Sequence, residues 1–575
     1  MIRLLRFLRP YRLSVTLVIV LFFLQSLASL YLPDLMSNIV DTGVVNGDIP
    51  YILKIGAFML LITIIGGLCA ILAGMFASKS SAGFGQILRS RVFSHVENFT
   101  MHEFDRIGTS SLIVRTNNDI MQVQQLVNMM LRMMVMAPLT AIGGMIMAVY
   151  TNAKLSVVIV IVMPILALAI YGVMSRGTAL FQVMQDKVDQ LNRVLRENLM
   201  GIRVIRSFAR VPYELRRFDT ANFDLTDTSV HVYKIMALLM PVMMLVINFA
   251  TLAIVWFGGM QINEGVMHVG NLMAFIQYVM QIMFSVMMVS MMAFMIPRGQ
   301  ASAARIHEVL DMVPDIIDPN PVQQAIDTAG TIEFRHATFS YPGAQEPALA
   351  DLSFRINPRE TTAIIGGTGS GKSTLIHLIP RFYDVDSGSV LVDGVDVRHQ
   401  SQSDLRAKIS FVPQQAILFS GTIADNIRYG NEAASDEEVH GAAKVAQAEE
   451  FITQMKDHYA SIIAQGGANI SGGQKQRLGI ARALVRKTEI YIFDDSFSAL
   501  DFKTDAKLRG ALKSQLADAT VLLVAQRVST VIDADRILVL DDGKLSGIGT
   551  HKELMENCDV YREIVLSQLS EEEIA

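Results

Sequence analysis

The stretch "GGTGSGKST", Gly366 to Thr374, fits the pattern G-x-x-x-x-G-K-[ST]. The strand-like "TTAII" precedes it and the helix-like "TLIHLI" follows. In that setting the pattern marks a glycine-rich phosphate-binding loop. Glycines let backbone N–H groups curl round phosphate oxygens, and the helix start adds a favourable dipole. Gly366, Gly367, Thr368, Gly369, Ser370, Gly371 and Thr374 form the cradle in this reading. Lys372 reaches the β- and γ-phosphates, and Ser373 holds Mg²⁺.

The loop opens a region of alternating type. From Thr331 onward, β-rich runs such as "SVLVDG", "EIYIFDD" and "RILVLDDG" alternate with helical stretches. That predicts an α/β domain over 331–575. Asp494 ends an apolar strand more than a hundred residues past the loop, where a Walker B carboxylate organises Mg²⁺ with Ser373. The other reading of Asp494 is a strand-end acid that caps a helix.

The first half differs in kind. Of 575 residues, 51% are apolar, and the mean hydropathy of +0.38 is high for a soluble protein. Six apolar runs, at about 14–33, 52–76, 133–151, 155–174, 235–259 and 271–296, are long enough to cross a bilayer. The basic, apolar N-terminus resembles a signal peptide, but its apolar run continues and more follow, so the first span is expected to stay as an anchor. Ile2 to Leu8 is expected to lie in the interface, with Arg3, Arg6 and Arg9 toward headgroups. Arginines crowd the N-terminus and the second and fourth connecting segments, which places both termini in the cytoplasm. The two long connections carry apolar residues at helical spacing, so the membrane helices should continue into the cytosol, or else these are solvated linkers. A membrane domain at 1–310, a Pro- and Asp-rich linker at 311–330 and the cassette follow. Cys69 and Cys558 lie too far apart in sequence and character for a disulfide framework.

"NISGGQKQR", 469 to 477, narrows the class. Ser471, Gly472, Gly473 and Gln474 match the signature motif of ATP-binding cassette (ABC) proteins. With six spans and a C-terminal cassette, essentially the whole chain resembles an ABC exporter half: a polytopic α-helical membrane domain followed by an α/β P-loop NTPase cassette. The resemblance implies ATP and Mg²⁺ as cofactors. It also implies that this signature contacts ATP held by the opposite cassette. Tyr341 resembles the aromatic that stacks on adenine. Gln414 resembles the Q-loop residue that links Mg²⁺ and the attacking water to the membrane helices. Ser498 to Asp501 resembles the D-loop. Loop tips near 104–110 and 205–215 would include or flank the coupling helices.

Three positions depart from the family pattern. Asp495 stands where the family has a catalytic glutamate, Gln526 where it has a switch histidine, and Gln465 where exporters usually have glutamate. Aspartate withdraws the carboxylate by about 1 Å, a misplacement that can cost on the order of 10²-fold in rate. Glutamine cannot carry a proton. The resemblance then implies a slow site on this chain and an intact signature for another. That predicts a heterodimer whose second half keeps the glutamate and the histidine, in a bacterial cytoplasmic membrane and without nucleic acid as partner. A regulatory subunit is weighed against this, and the six spans oppose it.

Substrate is weakly encoded. Met133, Met134, Met136, Met240, Met243, Met244, Met280, Met283, Met287, Met288, Met291 and Met292 suit a cavity that accepts varied apolar molecules, or else serve as lipid-facing or interhelical filler. Gln25, Asn248, Gln277 and Gln281 are polar at membrane depth and face either a ligand or a neighbouring helix.

Overall fold

The computed structural model describes residues 1–320, 322–323 and 329–568, without the side chains of Ile2, Thr178, Met291, Ala293 and Phe294. Part of the expected linker and the side chain of Met291 therefore lie outside the described residues. The chain forms two compact units: 1–97 with 110–312, and 98–109 with 313–575.

The first unit is helical. Among the described residues, six helical segments are long and apolar enough to cross a membrane: Arg3–Val44, Ile49–Val96, Thr109–Thr151, Ala153–Met200, Val211–Asn263 and Val269–Asp311. A 48-residue helix such as Ala153–Met200 is about 72 Å long at the usual rise, against a hydrocarbon core of about 30 Å. The helices thus outrun their apolar runs, as the helical spacing in the long connections predicts. Ion pairs tie the polar ends. Buried Asp119 accepts from Ser302 Oγ at 2.9 Å and Arg305 Nε at 2.7 Å. Tyr278, Phe275 and Leu155 centre the apolar core.

The structure refines the sequence reading at three places. The N-terminus is a helical turn, Ile2–Leu5, followed by a 3-10 stretch, Arg6–Tyr11. Leu4 is fully buried within the unit rather than dipping into lipid, while Arg3, Arg6 and Arg9 stay exposed. At the second tip lies the short helix Ile202–Ser207, which overlaps the start of the expected 205–215. The methionines do not form one stripe: Met243, Met283 and Met292 are buried, while Met134, Met240, Met244 and Met280 are exposed. Helical periodicity turns neighbouring methionines to different faces. Gln281 Nε2 donates to Ser29 C=O at 3.2 Å, an interhelical bond, whereas Asn248 and Gln277 are exposed. Both cysteines are free and buried.

The second unit is an α/β cassette. Its main sheet runs in the order Lys544–Gly549, Arg536–Asp541, Thr361–Gly366, Thr520–Val524, Ile490–Asp494, Ile409–Val412. All neighbours pair in parallel except the first two. A four-stranded antiparallel sheet, including Ile332–Phe339 and Leu349–Ile356, lies beside it in sequence. Its Phe334, Leu352 and Ile356 share a buried cluster with Ile364, Leu375 and Ile492 of the main-sheet layer.

The first loop tip belongs to this unit. Helix Met101–Ile107 starts with a capping box between Thr100 and Glu103. Glu103 is buried and its other oxygen accepts from the Asp315 N–H at 2.9 Å. His102 Nδ1 pairs with the Asp315 carboxylate.

Candidate nucleotide site

Three strand ends assemble the site. Strand Thr520–Val524 lies between Thr361–Gly366 and Ile490–Asp494, with Val524 in register with Ile364 on one side and Asp494 on the other. The chain segments leaving these ends are the phosphate loop, the acidic pair and the segment carrying Gln526. In open α/β sheets such C-terminal strand ends form the binding crevice.

The loop 366–371 depends on glycine at two kinds of position. Gly369 and Gly371 have φ of +87° and +93°. A Cβ on Gly366 would sit 2.2 Å from Leu540 C=O. Thr368 is exposed and Ser370 buried. Lys372 is folded back: its Nζ donates to Gly366 C=O at 3.0 Å and Gly367 C=O at 2.6 Å. Burial pushes this ammonium below its ordinary pKa, against the pull of Asp495 and Asp494. Ser373 Oγ donates to Asp494 Oδ1 at 3.1 Å. Burial pushes the Asp494 carboxyl up, and the Ser373 bond only partly offsets it.

Asp495 sits one residue past the strand in the left-handed region, at φ +43°. Aspartate tolerates that backbone better than most residues. Its N–H donates to Val524 C=O at 3.0 Å, and its C=O accepts from Ser498 Oγ at 2.9 Å. Its Oδ2 accepts two amide donors, Gln526 Nε2 at 3.0 Å and Gln414 Nε2 at 3.3 Å. Desolvation raises the Asp495 carboxyl above the ordinary range. The two glutamines therefore converge on one carboxylate oxygen of Asp495.

Tyr341 is partly exposed beside the loop. Its hydroxyl shares a 3.1 Å hydrogen bond with Thr374 Oγ1, and its ring packs edge-on against Phe339 and Tyr383.

The signature residues form a separate cluster. Helix Gly472–Leu484 begins after Ser471, whose hydroxyl accepts from Gln474 N–H at 3.3 Å. Gln474 Oε1 accepts in return from Ser471 N–H at 2.9 Å. Ser471 and Gly472 are exposed. A Cβ on Gly473 would lie 3.1 Å from Ala499 C=O. Asp501 caps its own helix, Phe502–Gln515, accepting from Thr504 N–H at 3.0 Å. Gln465 is exposed at the start of a short 3-10 turn.

The donor set suits a nucleotide with a hard cation. Hydroxyl and carboxylate oxygens of Ser373 and Asp494 already meet, and oxygen ligands are what Mg²⁺ takes. Lys372 has only to leave two loop carbonyls to face phosphate.

Sequence reasoning missed two residues here. Arg527 Nη2 donates to Ser498 C=O at 3.4 Å, and its guanidinium lies over the Phe502 ring, 5.4 Å from the centroid. Gln568 binds the backbone on both sides of Arg527. Nothing local in "VLSQLS" marks it.

Fold and site together define a membrane-embedded exporter with a fused ATP-binding cassette. The chain belongs to the ABC transporter family. Residues 15–286 match the ABC transporter transmembrane region and residues 349–498 the ABC transporter domain. The chain is 44% identical to an uncharacterized ABC transporter ATP-binding protein of Mycobacterium tuberculosis, over 97% of each. It is 32% identical to an ATP-dependent lipid A-core flippase of Chromobacterium violaceum, over 93% of this chain and 92% of that protein. Among solved structures, a bacterial Atm1-family ABC exporter with ATP bound superposes with a TM-score of 0.82 at 25% identity, covering 98% of this chain and 99% of that one. The cassette is thus that of an ATPase coupled to transport.

Proposed function

We propose that this chain is one half of a heterodimeric exporter of amphipathic small molecules in a bacterial cytoplasmic membrane. Its own ATP site is slow, and Ser471, Gly472, Gly473 and Gln474 complete the competent site of a homologous partner. The observation that carries this reading is that Gln414 and Gln526 both donate to the same Asp495 carboxylate oxygen. A general base must reach the water whose proton it takes. Here the short carboxylate has one oxygen occupied by two amides, and Gln526 has no proton to give and take near neutral pH.

Lys372 and the loop N–H groups bind and orient phosphate oxygens, and Tyr341 offers an aromatic face for the base. Ser373, Asp494 and Gln414 would hold Mg²⁺, which when bound neutralises phosphate charge. Arginine-rich connections support a cytoplasmic cassette.

The test compares the purified chain alone with the chain co-purified with a partner that keeps the glutamate and histidine. Slow hydrolysis alone, fast hydrolysis together and dye export only by the pair are expected. Full turnover and transport by this chain alone overturn the reading.

A second reading, lipid export by the same architecture, draws on the relatives named as lipid A-core flippases. Competition between lipid and dye in the reconstituted pair separates the two.

A further inference from the structure

The segment after strand Thr520–Val524 is held by a side chain from the far end of the chain. Helix Asp559–Leu566 packs Tyr561 and Val565 into the same buried cluster as Val528 and Val531. Just beyond it, Gln568 Oε1 accepts from Val528 N–H at 2.8 Å, and Gln568 Nε2 donates to Gln526 C=O at 2.8 Å.

These two backbone groups flank Arg527, which is extended at φ −98° and ψ 130°. A neighbouring strand would satisfy the same alternating donor and acceptor. One carboxamide does so here, and the segment is held like a strand edge without a strand beside it.

Both functional side chains of the segment leave from that backbone. Gln526 reaches Asp495 Oδ2 at 3.0 Å, and Arg527 reaches Ser498 C=O and the Phe502 ring. Two residues past Arg527, Ser529 C=O accepts from Arg509 Nη1 at 2.8 Å.

We propose that Gln568 is a positioning residue for the nucleotide site. It fixes the backbone from which Gln526 and Arg527 reach the acidic pair and the segment after it, so docking of the C-terminal helix sets how long ATP is retained. This rests on Asp495 and Gln526 facing bound nucleotide; it does not require the site to be slow. The site needs one donor and one acceptor on one planar group. Alanine supplies neither, and an ionised glutamate supplies two acceptors, one facing the Gln526 carbonyl.

The experiment uses the full-length chain in phospholipid nanodiscs with Mg²⁺ and radiolabelled ATP. Hydrogen exchange of the peptide 525–532 and the dissociation rate of labelled ATP are measured for the wild type, Gln568→Ala and Gln568→Glu. Loss of two hydrogen bonds should raise exchange about tenfold in Gln568→Ala. ATP dissociation should rise about three- to tenfold with it. Gln568→Glu should match Gln568→Ala at pH 7.5 and return toward wild type at about pH 4, each compared with wild type at the same pH, because a protonated carboxyl regains its donor. That recovery also serves if Gln568→Ala loses protection throughout the C-terminal helix. Unchanged exchange at 525–532 overturns the proposal. So does raised exchange with unaltered ATP dissociation, which would leave Gln568 a tether only. Fast hydrolysis by the wild type would sink the slow-site reading while leaving these readouts intact.

Discussion

The phosphate loop and the signature helix both present glycines and backbone N–H groups at a helix start, yet they are prepared differently. At the loop, Gly371 holds the left-handed turn with no capping side chain, and Lys372 is parked on two loop carbonyls. At the signature, Ser471 and Gln474 cap each other reciprocally. The first can take phosphate by swinging one lysine. The second must exchange an existing hydroxyl–amide contact before its serine can face a nucleotide. Gly473 adds a constraint: its close approach to Ala499 C=O ties the signature to the segment following Asp495 on the same chain. The chain therefore links its signature to the acidic pair through its own backbone.

The largest effect should come from Lys372→Ala. Loss of charge-assisted contacts, at about 1.5–3 kcal/mol each, should weaken MgATP binding roughly 100-fold in a fluorescent-nucleotide titration. Survival of that affinity would mean that backbone N–H groups alone bind phosphate and would erase the contrast.

Next is the double variant Asp495→Glu/Gln526→His. Restoring reach and a titratable ring should raise hydrolysis at this site about 10–100-fold over wild type, by single-turnover phosphate release. Each single variant should gain less, because the unchanged partner still occupies or misplaces the group.

Ser471→Ala sharpens the other side. It removes a cap worth about 1 kcal/mol and lowers the melting temperature slightly. Turnover by the chain paired with a competent half should drop about tenfold, on the order of one lost charge-assisted hydrogen bond. ATP affinity of this chain alone should not move. A fall in that affinity would show that the signature also serves the chain's own loop.

The smallest effect concerns Asp494. Burial raises its carboxyl in the folded, ligand-free chain, so the protonated form is favoured there and stability is lost as pH rises through the folded value. Asp494→Asn, which removes that charge, should raise the melting temperature of ligand-free protein at pH 7.5. The gain should vanish as pH falls below the ordinary carboxyl range, where both forms are neutral. A destabilised variant at pH 7.5 would mean that the Ser373 contact outweighs desolvation.

The phosphate loop was legible because its requirements are local: left-handed turns, a strand before and a helix after. The membrane spans were legible because lipid demands long apolar runs. Their ends were not, since helices such as Ala153–Met200 continue through polar sequence held by packing. Leu4 shows the same limit, an interfacial pattern overruled by a buried site in the bundle. So does the methionine series, which rotation about the helix axis splits between core and surface.

The sequence by itself determined the parts: six apolar spans, a cassette, a phosphate loop, a signature, and two residues shorter or less basic than their family counterparts. The spans, the cassette and the loop follow from composition and spacing that neighbours along the chain can satisfy, while the signature and the two departures follow from the family resemblance. Only the tertiary structure decided that strand Thr520–Val524 inserts between the loop strand and the acidic strand, which brings Gln526 onto Asp495. It alone decided that Gln568 closes on the same segment. The reason is that strand order and end-to-end contacts are set by which buried faces pack together, and no local pattern carries that choice.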